Sequence, residues 1–328
     1  MREIRVASIQ PLGQPKMDVF GGERDRAVGR KKVEENLDLA CRLLDQAGRA
    51  GCDIAAYPED IQGIAHYGYW YGEPDLFLGY VETIPGPTTE RISEVAARHH
   101  MHVVYGTYER IGDRVYNTAV LTGREGEIIG TYHKVQLPDV ERWMVTPGDS
   151  FAVFETDFGV VGMMICYDIN FPEPARCLAL NGAELLFHPT MGYSMPGQCE
   201  GNGLMRARMR AIDNFVPLVI STCGSDSVIV NSDGTVLALA RPGAEEIIAA
   251  TIDLDATPTD HSQWELITGV ADMKARILQE RRPEMFAALA DPEPAVLARY
   301  REMPLKSTPA QRQEVFEELR RRWGGRGE

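Results

Sequence analysis

Val160-Val-Gly-Met-Met-Ile-Cys-Tyr-Asp-Ile-Asn-Phe-Pro-Glu-Pro-Ala-Arg-Cys-Leu-Ala-Leu-Asn-Gly-Ala-Glu-Leu-Leu-Phe187 reads as strand, turn, helix and strand. The apolar run Val160–Ile165 has the length of a buried strand. Pro172 suits a first helical position, where its missing N–H costs nothing, and the helix over Pro172–Leu180 stops ahead of Asn181-Gly182. Glu184–Phe187 is again strand-like. Such a unit lays two parallel strands side by side with a helix packed across them.

The same alternation extends outward. Ile4–Gln10 is a strand; Val33, Leu37, Cys41 and Leu44 share one face of a helix that ends near Gly48 or Gly51; Asp53–Tyr57 is a strand stopped by Pro58. Thr88–His100 is helical and His102–Glu109 is the next strand. Asn117–Thr122 and Ile128–His133 form a hairpin around Gly123-Arg-Glu-Gly126, and Val228–Val230 and Val236–Leu239 form another around Ser232-Asp-Gly234. Between them a helix over Gly203–Asn214 leads into a strand at Val216–Ser221, and Ile247–Ile252 closes the series. Strand–helix–strand units together with hairpins imply an α/β fold with one mixed sheet, or two, and helices outside. No motif recurs every 20–50 residues, which excludes a solenoid or propeller.

From about Gln263 the pattern is helical only, with amphipathic stretches at Glu293–Arg301 and Pro309–Trp323. The expected division is a catalytic region over 1–280 and a helical tail over 281–328 that packs on a partner subunit or on its own domain.

The bulk numbers limit the partners. With 48 acidic against 34 basic residues the formal net charge of the 328-residue chain is −14, which disfavours a phosphate backbone as partner. The basic runs Arg30–Lys32 and Arg320–Arg322 lie beside glutamates and read as solvated helix faces. No stretch approaches the length of a membrane span, and the amino-terminal segment lacks the features of a secretory signal, so a soluble, cytoplasmic protein is expected. Six cysteines (Cys41, Cys52, Cys166, Cys177, Cys199 and Cys223) show neither Cys-x-x-Cys spacing nor a zinc pattern, and only their reactivity is in question.

Three polar residues stand just past strand ends: Glu59 in Ala56-Tyr-Pro-Glu-Asp60, Lys134 in Thr131-Tyr-His-Lys-Val135, and Cys166. Taken singly, each is as readily a turn residue or a core thiol. Ligands of α/β sheets bind beyond the carboxyl ends of strands, so the three are candidates to converge there. A thiol has an ordinary pKa of about 8.5 and needs a base, which a carboxylate supplies. Attack on a carbonyl builds an oxyanion, for which the Lys134 ammonium and the Tyr167 backbone N–H are candidate donors. A thioester, loss of ammonia or an amine, and hydrolysis follow. No metal or organic cofactor is implied, because thiol, carboxylate and ammonium complete that chemistry.

Val6-Ala-Ser-Ile-Gln10, Tyr57-Pro-Glu59, Tyr132-His-Lys134, Ile165-Cys-Tyr-Asp-Ile-Asn-Phe-Pro-Glu173 and Arg206-Ala-Arg-Met-Arg-Ala-Ile-Asp-Asn214 come in the order of the nitrilase, or carbon–nitrogen hydrolase, superfamily, which the chain resembles over roughly residues 4–255. The resemblance implies a four-layer αββα sandwich, a Glu59–Lys134–Cys166 triad, and homodimers or larger homo-oligomers. It also implies a second glutamate that positions substrate or assists the base; Glu141, ahead of Pro147-Gly-Asp149, stands at its place.

Of the other candidates, Tyr167, Trp143 and Met191 are expected to wall the pocket, and His188, opening His-Pro-Thr-Met-Gly-Tyr193, to contact substrate. Asp168 is expected to orient the nucleophile's turn, His133 to pack away from Lys134, and Arg206 or Arg210 to pair with Asp213 or Glu200. Relatives that cleave nitriles usually carry Cys-Trp-Glu at the nucleophile, where this chain has Cys166-Tyr-Asp168. Relatives that hold a substrate carboxylate usually place arginine soon after it, where Ile169 and Asn170 stand. A neutral or cationic amide or carbamoyl substrate is therefore expected. The rival readings are a nitrilase, an acyltransferase using the same thioester, and a catalytically silent ligand-binding scaffold.

Overall fold

The computed structural model describes residues 2–12, 26–69, 71–192 and 201–323, so Cys199, Glu200 and most of the Met191–Gly203 loop lie outside the described residues. The strands are β1 (Glu3–Gln10), β2 (Ile54–Ala56), β3 (His102–Ile111), β4 (Arg114–Thr122), β5 (Ile128–His133), β6 (Val153–Glu155), β7 (Val160–Met163), β8 (Leu185–Pro189), β9 (Leu218–Ser221), β10 (Val228–Val230), β11 (Val236–Leu239) and β12 (Glu246–Asp253). They form two six-stranded sheets, in the orders β12-β1-β2-β3-β4-β5 and β11-β10-β9-β8-β7-β6. In each, three central strands are parallel and the outer pairings antiparallel.

The helices are α1 (Arg26–Arg49), the short α2 (Ala65–Tyr69) and α3 (Pro74–Leu78), α4 (Pro87–His99), the one-turn α5 (Glu141–Met144), α6 (Pro172–Leu180), α7 (Asn202–Asn214), α8 (Gln263–Thr268), α9 (Met273–Glu280) and α10 (Pro309–Trp323). Strand alternation sorts the side chains into layers. On β1, Ile4 and Val6 enter the core between the sheets, whereas Ala7 and Ile9 enter the core under α1 and α4. On β8, Leu185 and Phe187 face the other sheet and Leu186 faces α6 and α7. The result is the αββα sandwich. Full burial of each such Leu, Ile or Val contributes about 1.5–3 kcal/mol. A buried hydroxyl pair, Ser8 Oγ and Ser221 Oγ at 2.7 Å, links the sheets: one hydroxyl donates to the other, which donates in turn to a carbonyl of the opposite sheet, Ile220 O or Ala56 O.

The path β1-α1-β2-α4-β3-β4 is repeated by β7-α6-β8-α7-β9-β10, with the same strand directions. No repeat is visible in the residues, because packing constrains apolar character at these positions and not identity. The β3–β4 hairpin runs past the expected strand ends to a turn at Gly112-Asp113, with Gly112 at φ +58°. Ile111–Arg114 are exposed, so this tip carries no apolar alternation to read. Glu293–Arg301 is not the expected amphipathic helix: it holds a 3₁₀ segment, Ala295–Tyr300, with every residue exposed. A short helix draws its stability from packing its apolar face, and this one is uncovered among the described residues. The final helix, by contrast, folds back onto α5 and the loop before α3 of its own chain.

Among the described residues, no helix is long and apolar enough to cross a membrane.

Candidate active site

Each site residue is held by backbone bonds that follow from its strand end. After β2, Tyr57 N donates to Val104 O at 2.8 Å and Gly106 N to Pro58 O at 3.2 Å, which carries the chain across β3. A Cβ at Gly106 would lie 2.6 Å from Glu59 Cα, so only glycine lets Glu59 cross there. Asp60, at φ +56°, closes the turn by accepting Ile64 N at 3.0 Å and Ala65 N at 2.8 Å. After β5, Lys134 N donates to Asn117 O and Lys134 O accepts from Gly148 N, at 2.8 and 2.9 Å.

After β7, Met164 N donates to Phe187 O and the chain enters a 3₁₀ turn over Cys166–Asn170. Cys166 sits at φ +42°, a left-handed backbone that L-residues disfavour. What enforces it is Asp168: its carboxylate accepts Ile165 N at 2.9 Å, Gln136 N at 2.8 Å and the Tyr132 hydroxyl at 2.8 Å. Asp168 is thus the structural residue expected from the sequence. Burial pushes its carboxyl up, to about 6, against the pull of these donors.

The side chains converge as follows. Lys134 Nζ is 3.0 Å from Glu59 Oε1 and 2.7 Å from Glu141 Oε2. Asn117 Nδ2 donates to Glu59 Oε1 at 2.7 Å and to Glu141 Oε1 at 2.6 Å, and Met191 N donates to Glu59 Oε2 at 3.1 Å. The charges of Glu59, Lys134 and Glu141 act on the Cys166 thiol, whose Sγ lies 3.8 Å from Gly192 O. Glu59, Lys134, Glu141 and Asn117 are each under 4% exposed. Glu59, Asn117 and Lys134, from three strands of one sheet, and Glu141, from α5, therefore share one buried cluster, and half-buried Cys166 comes from the end of a strand of the other sheet.

The electrostatics differ along the cluster. Burial pushes Glu59 up, but the Lys134 charge and the bonds from Lys134 and Asn117 outweigh it and leave Glu59 below the ordinary carboxylate range. Burial pushes Glu141 up, and one shared lysine does not fully offset that. Lys134 is held far above the ordinary lysine range by the two carboxylates despite its burial. Burial and the Glu59 charge push the Cys166 thiol up to about 12, so the resting sulfur is protonated and attack requires transfer of its proton.

Other candidates fall elsewhere. Tyr167 lies beside the nucleophile, with its ring edge-on to Phe171. Met191 reaches the site through its backbone N–H, and its side chain joins the core under α1 and α4. His188 is fully buried inside β8, its Nδ1 3.2 Å from Met164 O, and burial pushes it down to about 3; it is a neutral ring braced on the nucleophile's strand. Trp143 is two residues from Glu141, but its ring contacts are Phe316, Arg142 and Arg312. Arg210 donates to Ile169 O at 3.0 Å, a carbonyl where an ion pair was expected, and Arg208 donates to Gly234 O at 2.9 Å. His133 stacks on Tyr116 and bonds Glu109 at 2.8 Å, turned from Lys134 as alternation requires.

Asn117 is the residue that sequence reading missed. Asparagine is depleted in strands, and one inside β4 was the available signal. Because ionised carboxylates only accept, its amide nitrogen must face them.

A family profile described as carbon–nitrogen hydrolase matches residues 5–259. The omega-amidase NIT2 of Xenopus tropicalis is 36% identical over 242 residues, covering 67% of this chain and 84% of that protein. A nitrilase of Pyrococcus abyssi is 34% identical over 238 residues, covering 67% and 84%. In fold, the chain is similar to a carbon–nitrogen hydrolase from Helicobacter pylori at TM-score 0.68 and 22% identity, covering 88% of this chain and 99% of that one.

Proposed function

The chain belongs to the carbon–nitrogen hydrolase family, a hydrolase of the nitrilase superfamily, and on that premise we propose that it cleaves an amide or N-carbamoyl group through a Cys166 thioester. The observation that carries this reading is Lys134 clamped between Glu59 and Glu141 at 3.0 and 2.7 Å, with the charges of all three acting on the Cys166 thiol.

In the first half-reaction Glu59 takes the thiol proton as Sγ bonds to the carbonyl carbon. An ammonium has three donors, and two of those on Lys134 are held by the carboxylates; the third, with the Tyr167 N–H, suits the oxyanion. The proton on Glu59 passes to nitrogen as the carbon–nitrogen bond breaks and ammonia or an amine leaves. In the second, Glu59 takes a proton from water as its oxygen bonds to the thioester carbon, and returns that proton to sulfur as the carbon–sulfur bond breaks and the acid leaves. Glu141 keeps the lysine charged and aimed. Tyr167, Trp143, His188 and Met191 are first candidates for contact with substrate or for support of its pocket.

The charged groups acting on Cys166 are Glu59, Glu141 and Lys134, a net negative set, which favours a neutral or cationic substrate. The test is ammonia release and intact mass across amides, carbamoyl amines and nitriles: an acyl adduct on Cys166 from an amide or carbamoyl compound is expected, and full turnover by Cys166→Ala would end the reading. The similarity to the Pyrococcus nitrilase keeps a second reading, conversion of a nitrile to its acid, which the nitrile arm decides.

The exposed apolar side chains between Met285 and Leu305 suit contact with a second copy of the chain, and a monomer in sedimentation equilibrium would remove that reading.

A further inference from the structure

The tail after α9 is almost wholly exposed, and among its described residues Phe316 alone is buried, at 8%. Its ring meets that of Trp143 edge-on, with centroids 5.7 Å apart and planes at 83°. The guanidinium groups of Arg142 and Arg312 lie 5.3 and 5.9 Å from the same indole centroid. On its other side the α10 backbone rests on Gly72, where a Cβ would come 2.6 Å from Phe316 O; Arg320 pairs with Glu73 at 3.4 Å. Helix α10 is thus seated on α5 and on the loop before α3.

Helix α5 is a single turn, which cannot hold its own shape without packing. Its Met144 side chain fills the space beside Gly68 of α2, so α5 is clamped between α2 and α10. This turn carries Glu141, two residues from Trp143. The bonds of Glu141 to Lys134 and Asn117, at 2.7 and 2.6 Å, break if the turn moves by about 1 Å.

We propose that Phe316 is a positioning residue for the reaction: from α10 it braces Trp143 and so holds Glu141 against Lys134. The inference rests on the role given to Glu141 above. A terminal helix would then be part of the catalytic assembly, acting through one aromatic contact.

The test uses the full chain with Phe316→Ala, Phe316→Tyr, Arg320→Glu and Glu141→Gln, each with a small amide. Phe316→Ala is expected to lower kcat about tenfold or more with KM moved less than about threefold, because a misplaced group costs chemistry before binding. Phe316→Tyr, which keeps the ring, restores kcat, and Arg320→Glu gives a smaller loss of the same kind. In a Glu141→Gln background Phe316→Ala adds no further loss, since both changes act through one residue. Hydrogen exchange over 141–145 rises in Phe316→Ala. The proposal is overturned if Phe316→Ala keeps kcat within about twofold, or lowers it equally in the Glu141→Gln background. Full activity of Glu141→Gln alone would instead sink the role given to Glu141.

Discussion

Replacing Lys134 by methionine tests the electrostatic core of the site. The ammonium is 1% exposed and lies 3.0 and 2.7 Å from two carboxylates that are themselves 3% and 0% exposed. Methionine keeps the bulk and removes the cation, leaving Glu59 and Glu141 sharing only the Asn117 amide. Loss of one partner from a buried ion pair costs about 3–5 kcal/mol when the remaining charge stays ionised. The chain can relieve this by protonating a carboxylate, and Glu141, already raised by burial, is the first to accept.

In the variant both carboxyls titrate above their unfolded value of about 4.3, and a carboxyl raised in the folded state costs stability only above the unfolded pKa. In the parent Glu59 is lowered, so its contribution is present above that pKa and lost as pH falls through the folded value. The Glu59 contribution of the parent is complete above about pH 5, so from there on it is the raised carboxyls of the variant that widen the gap, by up to about 1.4 kcal/mol per pH unit per group until the folded pKa is passed. Urea unfolding of both proteins at pH 5.5 and 8.0 should show a stability difference larger at pH 8.0 by at least about 1.5 kcal/mol. A difference independent of pH, or below about 1 kcal/mol at both, would refute the buried-cluster reasoning. Turnover should fall by about 10²–10³ or more with the oxyanion donor gone. From its place in the chain alone, Lys134 is expected to matter far more for chemistry than for folding; its burial between two carboxylates makes it matter for both.

The left-handed backbone of Cys166 makes Cys166→Gly more stable than Cys166→Ala, by up to about 1 kcal/mol, because relief of the left-handed cost exceeds the added chain entropy of glycine. Both are inactive, and equal melting temperatures would show that the turn stores no strain. Asp168→Asn cannot accept Ile165 N, Gln136 N and the Tyr132 hydroxyl together, and should cost about 1–3 kcal/mol and turnover as well; unfolding curves and activity that match the parent would remove its role in aiming the nucleophile.

The residues by themselves determined the elements and the reacting groups. Helix Pro172–Leu180 and the pair Val228–Val230 and Val236–Leu239 were legible to the residue, because a proline at a helix start and a Ser-Asp-Gly turn act locally. Glu59, Lys134 and Cys166 stood out because each follows a strand end, which is local information too. The exposed hairpin tip carried no apolar pattern and stayed silent, and β6, at three residues, is too short to show an alternation.

Only tertiary structure decided what those groups meet. Asn117 joins Glu59 to Glu141 because β4 lies between β3 and β5, and His188 and Trp143 serve as braces because of what packs on them. Phe316 reaches α5 from a segment 173 residues away in the chain, a contact no spacing rule anticipates. The physical reason is one of range: capping, turn and strand preferences act over a few residues, whereas the desolvation that sets the charges of this site requires the whole sandwich to be closed around it.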